Sequence, residues 1–426
     1  MTADTDTSRR GFLTTSALAG GALAVSQAGL FAGQNSALKI GLVGCGGRGT
    51  GAALNALKAD SNVKLVAMAD MYDDQLQASL KQLQKNRDVG SKVDVKPDML
   101  FSGFDAYKKV IDASDVVLLC TPPHFRPMQL KAAVEAGKHI FAEKPLAVDA
   151  PGVRSVIESV QKAKEKKLSL LVGYCYRWDL AKRETVKRIH DGAIGDVKVI
   201  HCNYITGELW HRPIDKPIDT MEYQLKNWYY FNWLSGDHIV EQHCHNHDKA
   251  AWVLNGEYPI AAYGTGGRQK RTDPKWGNIF DHHSVVYEYR SGAKVFSFCR
   301  QMSGATRLMN DVSDHVIGTK GSSQLMTHTI TAGGKTWGYE GPEPSMYDQE
   351  HVEFYAGLRA GEPINNGMDG AHSTLMSIMG RMATYTGMKI TADMALNSKE
   401  DLSPPKYEWG PLKYAPVAVP GVTKFV

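Results

Sequence analysis

Apolar positions along this chain follow two rhythms. Up to about residue 145, short unbroken apolar runs at 38–43, 63–69, 115–120 and 139–142 alternate with stretches of helical spacing at 50–59 and 127–136, the last closed by Gly137. Strands apolar on both faces, separated by helices, predict a parallel sheet covered on both sides. A further helix at 150–166 and a strand at 168–174 follow. Later the pattern turns to alternation. Strands are expected at 260–268, 281–289, 293–300 and 315–318, separated by turns such as Ser291-Gly292 and Lys320-Gly321. Consecutive strands with short turns predict a mainly antiparallel open sheet. Gly264-Thr265-Gly266-Gly267-Arg268 reads as a bend at its edge, and two helices at 349–360 and 371–386 return to pack the halves together. The predicted fold class is therefore α/β: a doubly wound parallel domain (37–150), an α+β domain with the antiparallel sheet (151–402), and a Pro-rich tail (403–426). The tail is expected to wrap the surface or a neighbouring subunit.

Residues 1–32 do not share these rhythms. Ser8-Arg9-Arg10-Gly11-Phe12-Leu13 is a twin-arginine pattern, followed by a mild apolar stretch and small residues around Ser26-Gln27-Ala28. The stretch is too rich in Gly, Ala, Ser and Thr for a membrane span. It predicts a cleaved export signal, a partnership with the twin-arginine machinery, and a periplasmic or otherwise exported protein. Lys and Arg total 49 against 45 Asp and Glu over 426 residues, so the net charge is +4. That bias predicts no nucleic-acid partner. The six cysteines, at 45, 120, 175, 202, 244 and 299, form no C-x-x-C pair and are expected to be mostly buried free thiols.

The strand at 38–43 runs into Gly44-Cys45-Gly46-Gly47-Arg48-Gly49 and then a helix. This is G-x-G-x-x-G between strand and helix, the setting in which free N–H groups and the helix dipole hold a pyrophosphate. The next strand ends in Asp70, 21 residues after Gly49. A carboxylate there accepts from a ribose 2′-hydroxyl and repels a 2′-phosphate, so NAD is expected over NADP. Thr121-Pro122-Pro123-His124 follows the third strand as a stiff extended turn, and Glu143-Lys144-Pro145 follows the fourth.

The glycine loop, the strand-end Asp, the Thr-Pro-Pro turn and Ala136-Gly137-Lys138-His139-x-x-x-Glu143-Lys144-Pro145 together resemble the Gfo/Idh/MocA oxidoreductases, from about residue 37 onward. The resemblance implies a Rossmann domain, with Lys144 beside the nicotinamide and the reacting carbinol and Glu143 at the cofactor ribose. The expected cofactor residues are thus Gly44, Cys45, Gly46, Gly47, Arg48, Gly49, Asp70, Thr121, Pro122, Pro123, His124, Glu143 and Lys144.

The densest polar run is Ser235-Gly236-Asp237-His238-Ile239-Val240-Glu241-Gln242-His243-Cys244-His245-Asn246-His247-Asp248. Glu241 and His245, four apart, would share a helix face. A neutral His suits removal of a hydroxyl proton, and a carboxylate can orient it. The family pattern here is similar, with Glu241 standing where Asp is common. Lys144, His245 and Glu241 are the catalytic candidates. Asp248 reads as a structural helix partner, and His243 and His247 as surface or packed histidines. A metal would use such spacing too, with His282 and His283 adding ligands, but no complete signature is present and none is expected. Substrate contacts are expected from Arg177 and Trp178, which could equally form a surface cation–π pair, and from Asp237. Trp228, Tyr229 and Tyr230 are further candidates, in a segment (223–233) with six aromatics in eleven positions.

The leading function is a nicotinamide-dependent oxidoreductase acting on a sugar, glycoside or cyclic polyol. Export of a folded protein favours tightly held cofactor. An alternative is a redox-assisted glycoside hydrolase similar to the NAD-dependent α-N-acetylgalactosaminidases, with Tyr229 or Tyr230 as base for a carbon proton. A weaker one is a non-catalytic nucleotide or sugar sensor. An open sheet commonly buries its free face, so a homodimer or homotetramer is expected.

Overall fold

The computed structural model describes residues 37–304 and 308–426. The twin-arginine segment lies outside the described residues. Six parallel strands form the first sheet: β1 (Leu38–Val43), β2 (Val63–Asp70), β3 (Leu100–Ser102), β4 (Val116–Leu119), β5 (His139–Ala142) and β6 (Leu170–Val172), in the order β3-β2-β1-β4-β5-β6. Strand order reverses between β1 and β4. The loops leaving their carboxyl ends therefore diverge and open a crevice, the usual ligand position in such sheets. β6 lies past the boundary expected at 150. The helix Ala150–Glu165 and β6 extend the first sheet, so this domain runs on at least to Val172.

The second sheet has nine strands: β7 (Val197–Thr206), β8 (Ala261–Gly267), β9 (His282–Glu288), β10 (Lys294–Gln301), β11 (Asp311–Gly318), β12 (Gly321–Gln324), β13 (Thr329–Ala332), β14 (Lys335–Gly338) and β15 (Ile390–Thr391). Their order is β14-β13-β12-β11-β7-β10-β9-β8-β15. Neighbouring strands pair antiparallel except β7 with β10, which the long excursion 207–281 allows to run parallel. In β10, Val295, Ser297, Cys299 and Gln301 are buried, while Phe296, Phe298 and Arg300 between them are half-buried. One face therefore carries the helices and the other stays more open. The glycines at 264, 266 and 267 do not form the expected bend. They lie within β8, and a Cβ at Gly264 would come 2.2 Å from the Ser284 carbonyl oxygen of β9.

The helix Gly367–Thr386 lies on the covered face. A Cβ at Gly380 would meet the Tyr287 hydroxyl at 2.1 Å, so only glycine lets helix and sheet approach this closely. The helix Met346–Ala360 crosses to the first domain, where Asn55 Nδ2 donates to Asp348 Oδ1 (2.6 Å) and Arg359 Nε to Asp60 (2.7 Å). All six cysteines are free. No helix among the described residues is long and apolar enough to cross a membrane.

Candidate active site

The glycine loop is shaped by what its neighbours leave open. Gly44 has φ +93°, and a Cβ there would lie 2.7 Å from the Cys120 carbonyl carbon. A Cβ at Gly49 would strike the Gly44 oxygen at 1.8 Å. At Gly46 and Gly47 a Cβ would meet nothing within 4 Å. The helix Gly47–Ala59 starts there with no side-chain cap and no acid in its first turn, so its leading N–H groups point free. Asp70, at the end of β2, accepts from Cys45 N (2.7 Å) through Oδ2 and from Tyr72 N (3.0 Å) through Oδ1. Burial raises its pKa and these bonds oppose the rise.

A cavity of about 410 Å³ opens against this loop, lined by Gly44, Gly46, Gly47, Arg48, Gly49, Asp70, Thr121 and Pro122. Bare glycines, an uncapped helix N-terminus and a strand-end carboxylate are the donor and acceptor set of a dinucleotide site, and the residues present fit one. Five expected contacts do not line it: Glu143, held by Arg48, and Lys144 stand outside the lining, and so do Cys45, Pro123 and His124. The Cys45 thiol is buried against the Ala69 carbonyl, and its own carbonyl takes Gln75 Nε2 and Thr50 Oγ1. Pro123 and His124 do not line the cavity. His124 is buried among Phe125, Trp233 and Tyr407, its Nε2 lies 2.8 Å from the Tyr407 hydroxyl, and burial lowers its pKa to about 4. Arg48 bridges two carboxylates, Glu143 and the buried Glu350 of the second domain.

Lys144, after β5, donates from Nζ to the Glu241 carbonyl (2.6 Å) and carboxylate (3.0 Å). Burial works against the ammonium, but the Glu241 carboxylate outweighs it and holds its pKa above the usual lysine range. Glu241 and His245 do not share one helix. The helix His238–Glu241 ends, His243 N reaches back to His238 O (3.1 Å), and a second helix, Cys244–Val253, begins. Glu241 is accordingly spent on Lys144 and makes no bond to His245, which corrects its expected orienting role. His245 stands edge-on to Tyr174 and Tyr176, with ring centroids 6.0 and 5.3 Å away. Burial, and then the Lys144 charge, keep it neutral to well below the ordinary histidine range. Its Nδ1 is buried without a partner, and its Nε2 bonds to no group among the described residues.

The remaining polar residues of the 235–248 run are taken up by structure. Asp237 is fully buried with φ +77° and is no substrate contact. Its Oδ1 accepts from His238 N (2.5 Å) and faces His238 Nδ1 (2.7 Å), and its Oδ2 accepts from Phe280 N (2.9 Å) and the Tyr385 hydroxyl (2.6 Å). Asp237, His238 and His283 stand close enough to share a cation, but the hydrogen bonds already occupy the carboxylate. His243 and His247 are buried, both reaching Ser297 Oγ (2.6 and 3.0 Å). Asp248 receives Arg177 Nε and Nη2 (2.8 and 2.9 Å) and Ser373 Oγ (2.9 Å). Arg177 is therefore a structural partner rather than a site wall. Trp178 is buried in the first domain's core, with Arg183 4.7 Å from its ring.

Of the aromatic segment, Trp228 lines the cavity, on the dinucleotide side. The Tyr229 hydroxyl accepts from Gln301 Nε2 (2.9 Å), and the Tyr230 hydroxyl donates to the Leu209 carbonyl (2.8 Å). Both phenols are engaged in these bonds and burial raises their pKa, so nothing in their setting favours the hydrolase alternative. Sequence reasoning missed Tyr72, Gln75, Phe104, Trp210, Arg212 and Lys226, all of which line the cavity. For Trp210, Arg212 and Lys226 the only signal was irregular spacing with unusual aromatic density around 207–234; Tyr72, Gln75 and Phe104 carried none.

Two family descriptions match the chain: "Oxidoreductase family, NAD-binding Rossmann fold" over residues 38–174 and "GFO/IDH/MocA C-terminal domain" over 183–324. The chain belongs to the Gfo/Idh/MocA family. It is 31% identical over 171 residues to Inositol 2-dehydrogenase 4 of Saccharopolyspora erythraea, a match spanning 40% of this chain and 46% of that relative. It is 28% identical over 260 residues to an Inositol 2-dehydrogenase of Rhizobium meliloti, covering 61% of this chain and 67% of the relative. The fold is similar to that of aldose-aldose oxidoreductase from Caulobacter crescentus, with a TM-score of 0.64 at 20% identity, over 83% of this chain and 99% of that one.

Proposed function

We propose that this protein is a nicotinamide-dependent oxidoreductase that transfers hydride to or from a CH–OH group of a cyclic polyol or sugar. The observation that carries this reading is a held, charged Lys144 with a neutral, largely buried His245 in reach of its charge, in a chain whose glycine loop and Asp70 line a dinucleotide-shaped cavity. The substrate class draws on the inositol dehydrogenases similar to this chain. Asp70 favours NAD over NADP, because a carboxylate at the ribose repels a 2′-phosphate.

The nicotinamide, when bound, accepts or returns the hydride. The chain's own residues handle the proton. Lys144 Nζ donates to the substrate oxygen, and its positive charge lowers the hydroxyl's pKa. His245, kept neutral by burial and by that same charge, accepts the proton at Nε2. Glu241 acts on Lys144, keeping the ammonium charged and pointed. None of these three residues lines the dinucleotide cavity itself. The three are largely buried, a setting in which charges act more strongly than in open solvent.

Export through the twin-arginine route, retention of the cofactor and assembly through the more open face of the nine-stranded sheet complete the proposal. The sequence of residues 8–32 supports the first. The test is to mix the mature protein with NAD and a panel of inositols, aldoses and glycosides, recording reduced-nicotinamide absorbance while identifying the sugar products. Reduced nicotinamide with a matching keto product is the expected result. Cleaved glycoside without net reduction would overturn the assignment.

A further inference from the structure

The dinucleotide cavity has a second wall that the glycine loop does not provide. Trp210, Arg212, Lys226 and Trp228 reach it from the second domain. Asn227, which has no exposed surface, holds this wall in shape. Its Oδ1 accepts from Arg212 N (2.8 Å) and its Nδ2 donates to Arg212 O (3.0 Å). The Arg212 guanidinium lies over the Trp210 ring at 4.3 Å, and Lys226 Nζ over the Tyr72 ring at 4.2 Å. The wall therefore touches the first domain beside Asp70, at the ribose end of the cavity.

The C-terminal segment fastens that contact from outside. Gln224 Nε2 donates to Leu412 O (2.6 Å), Leu412 N to Asp219 O (2.7 Å) and Met221 N to Gly410 O (2.9 Å), tying the tail to the helix Met221–Lys226. On the other side, the Trp409 ring lies 6.0 Å from Tyr72 and 5.5 Å from Phe104, and Tyr407 lies 5.9 Å from Phe104. Tyr72 and Phe104 both line the cavity. One short stretch of tail thus grips the second-domain wall and the first-domain rim together.

We propose that Trp210, Arg212, Lys226 and Trp228 are dinucleotide-binding residues, and that the 407–412 segment, through Trp409, is a strap that sets how long the nucleotide stays. This rests on the reading of the cavity as a nicotinamide dinucleotide site. The strap slows dissociation without touching the hydride or the proton, because the Trp409 ring packs on Tyr72 and Phe104, whereas Lys144 bonds to Glu241 and His245 packs against Tyr174 and Tyr176. Trp409 is 45% exposed, so its replacement leaves the fold's core intact.

The test is stopped-flow release of NADH, followed by nicotinamide fluorescence during displacement by excess NAD. It uses full-length Trp409→Ala and Trp409→Phe beside the parent protein, with thermal unfolding of each. Trp409→Ala should release NADH about tenfold faster while still unfolding cooperatively within a few degrees of the parent Tm, as loss of two aromatic contacts implies, and Trp409→Phe should largely restore the slow rate. Arg212→Ala should weaken NADH binding in equilibrium titrations. Release within twofold of the parent by a folded Trp409→Ala protein would overturn the strap. A parent protein that binds neither NADH nor NADPH would overturn the cavity reading itself and the strap with it.

Discussion

The glycine loop and the histidine-rich run look equally rich in chemistry as strings of letters, yet they behave oppositely in the fold. In residues 44–49, most positions face the cavity, and Cys45 is the one whose side chain turns inward. In residues 235–249, most polar side chains are bonded to another buried group. Asp237 is bound by His238, Phe280 and Tyr385; His243 and His247 share Ser297; Asp248 holds Arg177; and Asn246 and Lys249 close on Asp314. Glu241, Cys244 and His245 are left facing Lys144. The difference follows from burial. A loop at a sheet's carboxyl edge presents its backbone outward. A polar run packed beneath a sheet turns most of its side chains to internal partners, since an unpaired buried polar group costs about 1–3 kcal/mol, although His238 Nε2, His243 Nδ1, His245 Nδ1 and Asn246 Oδ1 stay unpaired.

The largest way to break this contrast is at Lys144. Lys144→Met should lower turnover about a thousandfold while leaving NADH affinity within a few-fold of the parent, because it removes a charge aimed at the reacting oxygen and nothing from the glycine loop. Steady-state rates and fluorescence titration check both halves; substantial residual turnover would end the assignment.

His245→Ala should cost about a hundred- to thousandfold in rate, the usual share of a positioned base. Its pH behaviour sharpens the case. The imidazole's pKa is depressed, so it is already in its basic form at pH 6.5, and its acid limb in kcat/KM should lie well below that pH. The Lys144 charge is one cause of the depression. The His245 ring resonance in Lys144→Met should therefore titrate at higher pH than in the parent. An NMR titration showing no difference would mean that the two groups do not sense each other.

How far the site was legible in sequence follows the same divide. The alternation of apolar strand and helix located β1, β2, β4 and β5, and the motifs at their ends placed the loop, Asp70 and Lys144. Short or polar elements escaped. β12, β13 and β14 are four residues each and carry few apolar positions, and β3 is only three residues long. The partners of Glu241 and Arg177 were unreadable too. Spacing of four suggests a shared helix face, but the break at Gln242–His243 depends on tertiary packing. Trp210, Arg212 and Lys226 come from a segment without periodicity, so only the folded chain brings them to the cavity.

Asp237 tests the structural side of the contrast. Asp237→Asn sets an amide NH2 against the N–H and O–H donors that the carboxylate now accepts from, and should destabilise the fold by about 2–3 kcal/mol. Denaturant unfolding measures this, and the folded fraction should keep its NADH affinity. The histidines around it add a pH signature. His238 and His247 have pKa values lowered by burial to about 4 and about 3. Between an unfolded value near 6.5 and those values, the unfolded chain binds protons that the folded chain does not. Stability should therefore fall as pH drops below about 6.5, by at most about 1.4 kcal/mol per pH unit for each such histidine. A Tm flat from pH 7 to 5 would contradict the buried, neutral arrangement.

The smallest expected effect separates packing from chemistry in the aromatic segment. Tyr230→Phe deletes a hydroxyl that donates to Leu209 O and leaves the ring beside Trp276, with centroids 4.8 Å apart. The lost bond leaves one carbonyl short of a donor and should cost about 1 kcal/mol in unfolding free energy. Turnover should not change, because the phenol points into the 207–234 loop and not toward Lys144. If turnover instead fell a hundredfold at unchanged stability, the hydroxyl would be acting on substrate. The division between a consumed and a working aromatic would then have to be redrawn between Tyr230 and Trp228.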